Sequence, residues 1–276
     1  MSLVKLHTAL VKDTPYIGVE DGTHPIVWAL GALEDFIDLP AEESVKFIKA
    51  HAVSLPKHAR PCAIFTPSSR IFCVGKNYAK HAQEMGGKLP SAPDIFLRFQ
   101  ESFVTSNAPL KKPAKSEAYD FEGELAVIIG KKGRAIPEAL ALQHVFGYSI
   151  AMDGTARDWQ KRTSQFSLGK NWEQSGSIAS FLLLQSKAVT PPSFSLKTEL
   201  NSEIMQQGTT DDMIFSIPAL IATLSEVTTL HPGDILLTGT PDGVGAGRHP
   251  QIFLKNGDRL NIIIEKIGTL KNTVSE

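Results

Sequence analysis

Two glutamates, Glu122 and Glu124, open a strongly β-forming run in the segment DFEGELAVIIG at 120–130. Side chains two residues apart in a strand point to the same side, so these carboxylates should aim at a common point. Carboxylates on one face repel each other unless a cation lies between them. The spacing therefore indicates a cation site, with a solvated strand face as the alternative. Gly123 favours the site because a glycine lets another backbone or a ligand come close.

A third carboxylate, Asp153, follows another β-forming run at 145–152. At the end of a strand the backbone is fixed while the side chain stays available, a setting typical of metal ligands. The alternative for Asp153 is an N-cap of the short helix expected after it. Three carboxylates without a convincing cluster of histidine and cysteine favour Mg²⁺ or Mn²⁺ over zinc, with Ca²⁺ as a further alternative.

The segment NYAKHAQEMGG at 77–87 predicts a short helix, with Asn77 as its N-cap and Gly86 as its end. On that helix His81 and Glu84 are neighbours, three residues apart. A carboxylate that accepts a hydrogen bond from one imidazole nitrogen leaves the other nitrogen as a base. The pair is therefore a candidate general base, with a solvated surface pair as the alternative.

Lys170 lies in an apolar, glycine-flanked segment, where it is an anion clamp for the substrate, a Schiff-base lysine or a surface residue.

The segment PGDILLTGTPDGVG at 232–245 predicts a strand that opens into a glycine-rich loop. Such loops present backbone N–H groups to anions. No helix is expected after this loop and no GK[ST] sequence follows, so a nucleotide-binding interpretation is rejected.

The composition is that of a soluble globular protein rather than a disordered, collagen-like or coiled-coil chain. The 276 residues include 28 Lys and Arg against 29 Asp and Glu, and the net charge of −1 argues against nucleic acid as the main partner. No apolar run approaches the ~18 residues of a membrane span, and the first residues lack the apolar stretch of a secretion signal. With two cysteines, both expected to be buried thiols, we expect a cytoplasmic protein.

Residues 1–66 predict a small α+β unit with short strands and a helix at about 42–52, followed by a proline-bearing linker at 56–67. Over 67–276, short β-branched runs alternate with Gly, Pro, Asn and Asp, which is typical of a mainly β domain with antiparallel strands, closed or folded over itself. Its strands are expected at 71–74, 94–98, 124–129, 145–152, 177–184, 234–238 and 259–265, and its helices at 77–85, 136–143, 157–160 and 217–226.

Five segments occur in the order known from one enzyme superfamily. They are NYxxHxxE at 77–84, DFEGELAVIIG at 120–130, GYSIAMDGTARDWQ at 147–160, TTDDMIFSIPALI at 209–221 and GDILLTGTPDGVG at 233–245. From about residue 70 to 275 the chain therefore resembles the fumarylacetoacetate hydrolase superfamily, in its branch that processes acylpyruvates and other 2-oxo acids. The resemblance implies a mixed β-roll catalytic domain, a small variable N-terminal domain and a homodimer.

The resemblance also implies a set of metal ligands, a His–Glu dyad on a lid segment that orders when substrate binds, and positions around the substrate and the metal. In this chain they are Glu122, Glu124 and Asp153 for the metal; His81 and Glu84 for the dyad; and Gln160, Lys170 and Thr240 for the substrate and metal shell, with Lys170 also a catalytic candidate.

Other charged residues in these segments are given lesser roles. The family does not use Asp120, and we expect Arg157 to serve the structure or the loop rather than the chemistry. Two segments depart from the pattern of many members, at 96–104 and 163–166. We expect both to shape the substrate pocket, with Arg98 binding the substrate.

The site and the resemblance together predict metal-assisted hydrolysis of a carbon–carbon bond in an acylpyruvate or related 1,3-diketone, as in aromatic-compound catabolism. The metal stabilises the departing enolate, and His81, held by Glu84, activates water. Three carboxylates and a divalent ion leave one negative charge, so a positive group is needed, and Lys170 is the candidate. The alternatives are decarboxylation of oxaloacetate, isomerisation or hydration of unsaturated oxo acids, a Schiff-base lyase, and metal binding without catalysis.

Overall fold

The computed structural model describes residues 3–86, 89–185 and 190–276. Over these residues the protein is mostly β, with two large sheets of mixed strand direction, which confirms the predicted α+β, mainly β class. Among the described residues, no helix combines the length and the apolar character needed to cross a membrane.

The first 66 residues contain a small unit of strands and one helix. Strands β1, β2 and β3 form an antiparallel meander on which α1 packs. β1 also pairs with a strand at Phe181–Leu184, so one continuous sheet crosses the predicted domain boundary at residue 66, and the boundary stays a prediction. The elements of this unit are β1 (Lys5–Val11), β2 (Thr14–Glu20), β3 (Val27–Leu30), α1 (Ala41–Ala50) and β4 (Arg60–Pro61).

The rest of the chain folds into the remainder of that sheet and a second large sheet. The main sheet has the order β3-β2-β1-β14-β11-β10-β17-β5-β6, and the second sheet has the order β16-β15-β18-β19-β8. The elements are β5 (Ile71–Gly75), α2 (Ala79–Glu84), β6 (Asp94–Arg98), β7 (Phe103–Thr105), β8 (Pro109–Lys111), β9 (Tyr119–Asp120), β10 (Gly123–Ile129), β11 (Val145–Met152), β12 (Thr155–Ala156), α3 (Arg157–Gln160), α4 (Ser167–Lys170), β13 (Gly176–Ile178), β14 (Phe181–Leu184), β15 (Ser195–Leu200), β16 (Glu203–Thr209), α5 (Ile217–Val227), β17 (Ile235–Leu237), β18 (Arg259–Ile264) and β19 (Gly268–Ser275).

Strands β10 and β11 form the centre of the molecule and are buried along their whole length. Apart from Glu124 in β10 and Ser149 in β11, both are mainly apolar, the pattern of strands that are covered on both faces. Along β10, Leu125 and Val127 face the core between the two sheets. Ala126 and Ile128 face the core shared with the N-terminal unit. Because side chains alternate along a strand, Glu124 lies on the same side as Ala126.

Helix α5 confirms the predicted helix at 217–226, and the Ser216 side chain caps its N-terminus. The helix predicted at 136–143 is instead a 3₁₀ helix over Glu138–His144. Pro137 is extended at its start, and the Leu140 N–H bonds to the Pro137 carbonyl, which sets the tighter i to i+3 pattern.

The strand pattern differs from the prediction in three ways. The strand predicted at 177–184 is split into β13 and β14, because the pairing register with β11 shifts between them: Ile178 pairs with Ala151, whereas Leu183 pairs with Tyr148. Pairing is not purely antiparallel, since β5–β17, β7–β13 and β8–β19 are parallel. β15 and β19 lie outside the predicted strands because polar and apolar residues alternate in them, so neither forms an apolar run.

Candidate active site

Three acidic side chains converge where β10 begins and β11 ends. Gly123 pairs with Met152 at this edge, and the register sets Glu122 and Glu124 beside Asp153. One ligand oxygen from each of the three lies within 4.8 Å of the others. Glu122 is 4% and Glu124 is 2% exposed, so a solvated strand face is excluded. An N-cap role for Asp153 is also wrong, because no side chain caps the following helix.

Gly123 allows the second sheet, rather than a ligand, to come close. A Cβ at this position would lie 2.3 Å from Thr198 Oγ1 and 3.1 Å from Ile262 Cγ2. The Gly123 N–H donates to Gln206 Oε1 at 3.0 Å. The second sheet therefore supports the acidic residues from behind.

Three buried cations surround these carboxylates. Lys170 Nζ donates to Glu122 Oε2 at 2.5 Å and also to Asp153 Oδ2. Arg98 Nη1 donates to Asp153 Oδ1 at 2.6 Å. Arg157 Nη2 donates to Glu122 Oε1 at 2.6 Å. Burial alone would raise the pKa of Glu122, but the charges of Arg157 and Lys170 lower it overall.

Lys170 is one of the most deeply buried charged side chains of the site, at 2% exposure, which excludes the surface-residue alternative. Burial acts to lower the pKa of its ammonium group. The charges of Asp153 and Glu122 outweigh this effect and raise that pKa above its ordinary value. Lys170 therefore stays protonated.

Arg98 does not face the substrate cavity, and its predicted role in substrate binding is corrected. Its side chain is fully buried and points behind Asp153. The Nε atom donates to the Ser102 hydroxyl at 3.1 Å, and the guanidinium carbon lies 4.3 Å from the centroid of the Phe103 ring. Strand β6 thus turns Arg98 into the interior, where it balances the charge of Asp153.

Asp120 and Arg157 form a layer beneath the acidic triad that the sequence did not reveal as part of the site. Asp120 Oδ2 accepts from Arg157 Nε at 2.8 Å. Asp120 also accepts the backbone N–H groups of Gly245 at 2.7 Å and Ala246 at 3.1 Å. Arg157 therefore links Asp120, which accepts from the glycine-rich loop, to Glu122. One feature of the sequence could have pointed to these two residues, since both lie in the same segments as the metal-ligand candidates.

Glu124 forms no ion pair with any described residue. Its Oε2 accepts the Gly239 N–H at 2.8 Å. Burial, with the charges of Asp153 and Glu122, holds the pKa of Glu124 well above its usual range. When all four buried carboxylates are ionised, they exceed the three buried cations by one charge. An all-oxygen set with this excess of negative charge fits a divalent ion such as Mg²⁺ or Mn²⁺. We call these groups the basal charge cluster: Asp120, Glu122, Glu124, Asp153, Arg98, Arg157 and Lys170.

His81 and Glu84 lie on α2, beside the basal charge cluster. His81 Nδ1 is 3.4 Å from Glu84 Oε2, and His81 Nε2 is 3.9 Å from Glu122 Oε1. His81 is 5% exposed, so the alternative of a solvated surface pair is wrong. Both carboxylate oxygens of Glu84 also accept the Gly243 N–H, at 3.0 and 3.1 Å. One imidazole nitrogen is therefore turned to Glu84 and the other to the triad.

Asn77 is not the N-cap of α2, contrary to the prediction. Tyr78 occupies that position, and no side chain caps the helix. The Asn77 side chain instead donates to the Thr238 carbonyl at 2.8 Å and accepts the Phe215 N–H at 2.8 Å. These bonds fasten the residues before α2 to the end of β17, which places α2 next to the triad.

A cavity of about 320 Å³ is lined by the triad, His81, Lys170 and the predicted substrate positions Gln160 and Thr240. Gln160 Oε1 accepts from Arg157 Nη1 at 3.1 Å. Thr240 Oγ1 accepts from Gln206 Nε2 at 2.7 Å, which fixes the hydroxyl. Gln206 is a further residue that the sequence did not single out.

The outer part of the cavity lining, which we call the cavity mouth, is formed by the half-exposed Lys76 and the exposed Lys161, Thr163 and Ser164. The divergent segment at 163–166 therefore contributes to the cavity wall.

Comparison with known proteins gives a consistent result. Residues 70–275 match the family described as fumarylacetoacetate (FAA) hydrolase C-terminal. The chain is 43% identical over 235 residues to oxaloacetate tautomerase YisK of Bacillus subtilis (strain 168), covering 84% of this chain and 74% of that protein. The structure matches a fumarylacetoacetate hydrolase from Exiguobacterium antarcticum with a TM-score of 0.82, 33% identity and 99% of both chains covered. It also matches fumarylpyruvate hydrolase from Pseudomonas aeruginosa in complex with Mn²⁺ and pyruvate, with a TM-score of 0.69, 30% identity, and 81% of this chain and 98% of that chain covered.

Proposed function

The chain belongs to the fumarylacetoacetate hydrolase superfamily, and from this premise we propose that it is a divalent-metal-dependent enzyme that interconverts the keto and enol forms of oxaloacetate or a related 2-oxo acid. One observation carries the proposal: His81 Nε2 lies 3.9 Å from Glu122 Oε1, so a base and the acidic triad face one cavity. The 43% identity to an oxaloacetate tautomerase supports the substrate class.

Glu122, Glu124 and Asp153 would hold the divalent ion. When bound, such an ion supplies a Lewis acid that stabilises the enolate form of the substrate. The excess negative charge of the basal charge cluster supports this assignment. The Mn²⁺ in the related fumarylpyruvate hydrolase supports it too.

His81 is the group that we expect to move the proton. Glu84 faces Nδ1, which leaves Nε2 as the free base directed at the triad. Nε2 takes a proton from C3 of the keto acid and returns it to the C2 oxygen, or acts in reverse, and no carbon–carbon bond breaks. A single base is enough for this reaction, so the site needs no further group beyond those that line the cavity.

A Schiff-base lyase is disfavoured by the state of Lys170. Schiff-base formation requires a neutral amine. Lys170 Nζ is paired with both Glu122 and Asp153 and stays protonated. In the proposed reaction its charge offsets part of the negative charge that an anionic substrate adds to the site.

Hydrolysis of a carbon–carbon bond in an acylpyruvate is the second candidate function. The dyad favours it, because His81 held by Glu84 is able to take a proton from water as well as from carbon. The 30% identity to fumarylpyruvate hydrolase also supports it. This reaction requires, in addition, a water molecule placed against the distal carbonyl and cleavage of the bond to the enolate.

The decisive experiment follows the enol absorbance of oxaloacetate with the protein in Mg²⁺ or Mn²⁺, with EDTA and His81→Gln as controls. We expect faster keto–enol equilibration without release of pyruvate. Release of pyruvate would show a decarboxylase instead. Cleavage of acetylpyruvate or fumarylpyruvate without an effect on oxaloacetate would replace the first proposal by the second.

The homodimer and the cytoplasmic location stay predictions. Light scattering distinguishes a dimer from a single chain of 30.0 kDa. Cell fractionation tests the location.

A further inference from the structure

We propose that Lys161 binds the distal carboxylate of the substrate and thereby makes the site selective for dicarboxylic 2-oxo acids. This inference rests on the proposed function, since it names the residue that recognises the second carboxylate of an oxaloacetate-like substrate. It assigns a specificity role to the cavity mouth, apart from the catalytic groups.

The charge balance of the site leaves one substrate carboxylate without a partner. The basal charge cluster has one more carboxylate than cations, and a divalent ion turns this into one positive charge in excess. The carboxylate beside the ketone of a 2-oxo dicarboxylate offsets that charge. The distal carboxylate lies further out, so it needs a cation of its own.

Two lysines of the cavity mouth are candidates for that cation, and one of them already has a partner. Lys76 Nζ lies 3.2 Å from Asp94 Oδ2 and 5.9 Å from the centroid of the Phe166 ring. Lys161 is exposed and forms no ion pair with any described residue. Lys161 is therefore the cation whose charge is available to a ligand.

The backbone around Lys161 separates it from its basic neighbour. Lys161 directly follows α3, and its N–H bonds to the Arg157 carbonyl at 3.2 Å. The preceding residue, Gln160, lines the same cavity. The next residue, Arg162, has its guanidinium carbon 3.5 Å from the centroid of the Trp159 ring. Of the two adjacent cations, Lys161 thus lines the cavity while Arg162 is stacked on an indole.

The test uses two ligands that differ in one group. In 3,3-dimethyloxaloacetate a carboxylate replaces one methyl group of trimethylpyruvate, and neither ligand has a hydrogen on C3, so neither enolises. Titration calorimetry of the Mg²⁺-loaded protein compares wild type with Lys161→Met and Lys161→Arg. Lys132→Met, which removes an exposed lysine in the loop after β10, is the matched control.

We expect Lys161→Met to weaken binding of 3,3-dimethyloxaloacetate by about two- to fivefold, since the lysine is exposed and screened by solvent. Trimethylpyruvate should bind as it does to wild type. Lys161→Arg should keep most of the difference in affinity between the two ligands, and Lys132→Met should keep all of that difference.

Equal affinity of the wild type for the two ligands would overturn the inference. An equal loss of affinity for both ligands in Lys161→Met would also overturn the inference, because this result would show that Lys161 has a structural role. Failure of the proposed function is detected by a different measurement, the absence of oxaloacetate tautomerisation by the wild type. The comparison of the two ligands measures binding alone and does not depend on turnover.

Discussion

The site has two halves, the basal charge cluster and helix α2, and the fold holds them in place in different ways. The cluster surrounds the start of β10 and the end of β11, and each of its members except Glu124 has an oppositely charged partner. Helix α2 has six residues and no side-chain cap at its N-terminus. Its dyad meets the surrounding structure through Glu84 with Gly243 and through His81 with Glu122. The folded core thus fixes the metal position, whereas a few contacts bring the base to it.

This difference separates the effects of substitutions in the two regions. Removal of one partner from a buried ion pair leaves an uncompensated buried charge, which costs folding free energy as well as function. The contacts of His81 with Glu84 and Glu122 are longer than the ion pairs of the cluster, so the loss of His81 should affect the reaction far more than the stability.

Arg157→Leu should have the largest effect. It removes the cation beside Asp120 and one of the two cations beside Glu122. We expect the free energy of unfolding to fall by about 3–5 kcal/mol, with loss of activity, as measured by urea denaturation and the enol assay. Lys197→Met, which breaks the half-exposed pair with Glu199, should cost at most about 1 kcal/mol. A similar loss of unfolding free energy in both variants would mean that the buried cluster contributes no more to stability than a surface ion pair.

His81→Gln should reduce tautomerase activity by roughly 10²–10⁴-fold, the contribution of a general base. The unfolding midpoint should change far less than in Arg157→Leu, since His81 forms no buried ion pair of comparable strength. Activity assays and urea denaturation on the same preparation check both parts. A parallel loss of stability would break the proposed separation between α2 and the cluster.

Glu124→Gln should separate the contribution of metal binding to stability from the contribution of the protein's own charges. Glu124 is the carboxylate that adds unpaired negative charge to the cluster, and a glutamine oxygen is able to accept the same Gly239 N–H. In EDTA we expect the variant to be at least as stable as wild type. With Mn²⁺ at 100 times the dissociation constant of the wild type, the variant should lack a stabilisation of about 2.7 kcal/mol.

Thermal unfolding with and without Mn²⁺ measures this difference. If Glu124→Gln were as destabilising in EDTA as Arg157→Leu, the charge balance of the cluster would have to be assigned differently.

Two members of the acidic triad could be predicted from local geometry, and Asp153 was added by its place after a strand and by the family resemblance. The alternation of side chains in a strand puts Glu122 and Glu124 on one side, and the apolar runs around them mark β10 and β11. The fold class and the family followed from the same segments.

The partners of the triad could not be predicted in this way. Asp120 and Arg157 are 37 residues apart, and their contact exists only after β9 pairs with β12. The sequence predicts a substrate role for Arg98, because it does not show which way a strand side chain points at the edge of a sheet. The sequence also cannot show that Asn77 bonds to Thr238 and Phe215 rather than capping α2, because these partners lie more than a hundred residues away.

Gly247→Ala is the mildest disturbance of α2 and should have the smallest effect of the four. A Cβ at Gly247 would lie 2.3 Å from Cδ of Glu84 and 2.5 Å from its Oε1, so the carboxylate would have to move. Its bonds to the Gly243 N–H would weaken, and His81 Nδ1 would lose the group that orients the ring. We expect kcat to fall by about tenfold, which corresponds to about 1.4 kcal/mol, while binding of the non-enolising ligands stays unchanged.

The control for Gly247→Ala is Gly257→Ala. Gly257 has a φ of +88° and no atom within 4 Å of its would-be Cβ, so alanine there strains the backbone without touching α2. This variant should lose stability and keep its kcat. If instead Gly247→Ala kept the wild-type kcat, Glu84 would be free to relocate without harm to His81, and the base would not depend on the contact between α2 and the glycine-rich loop.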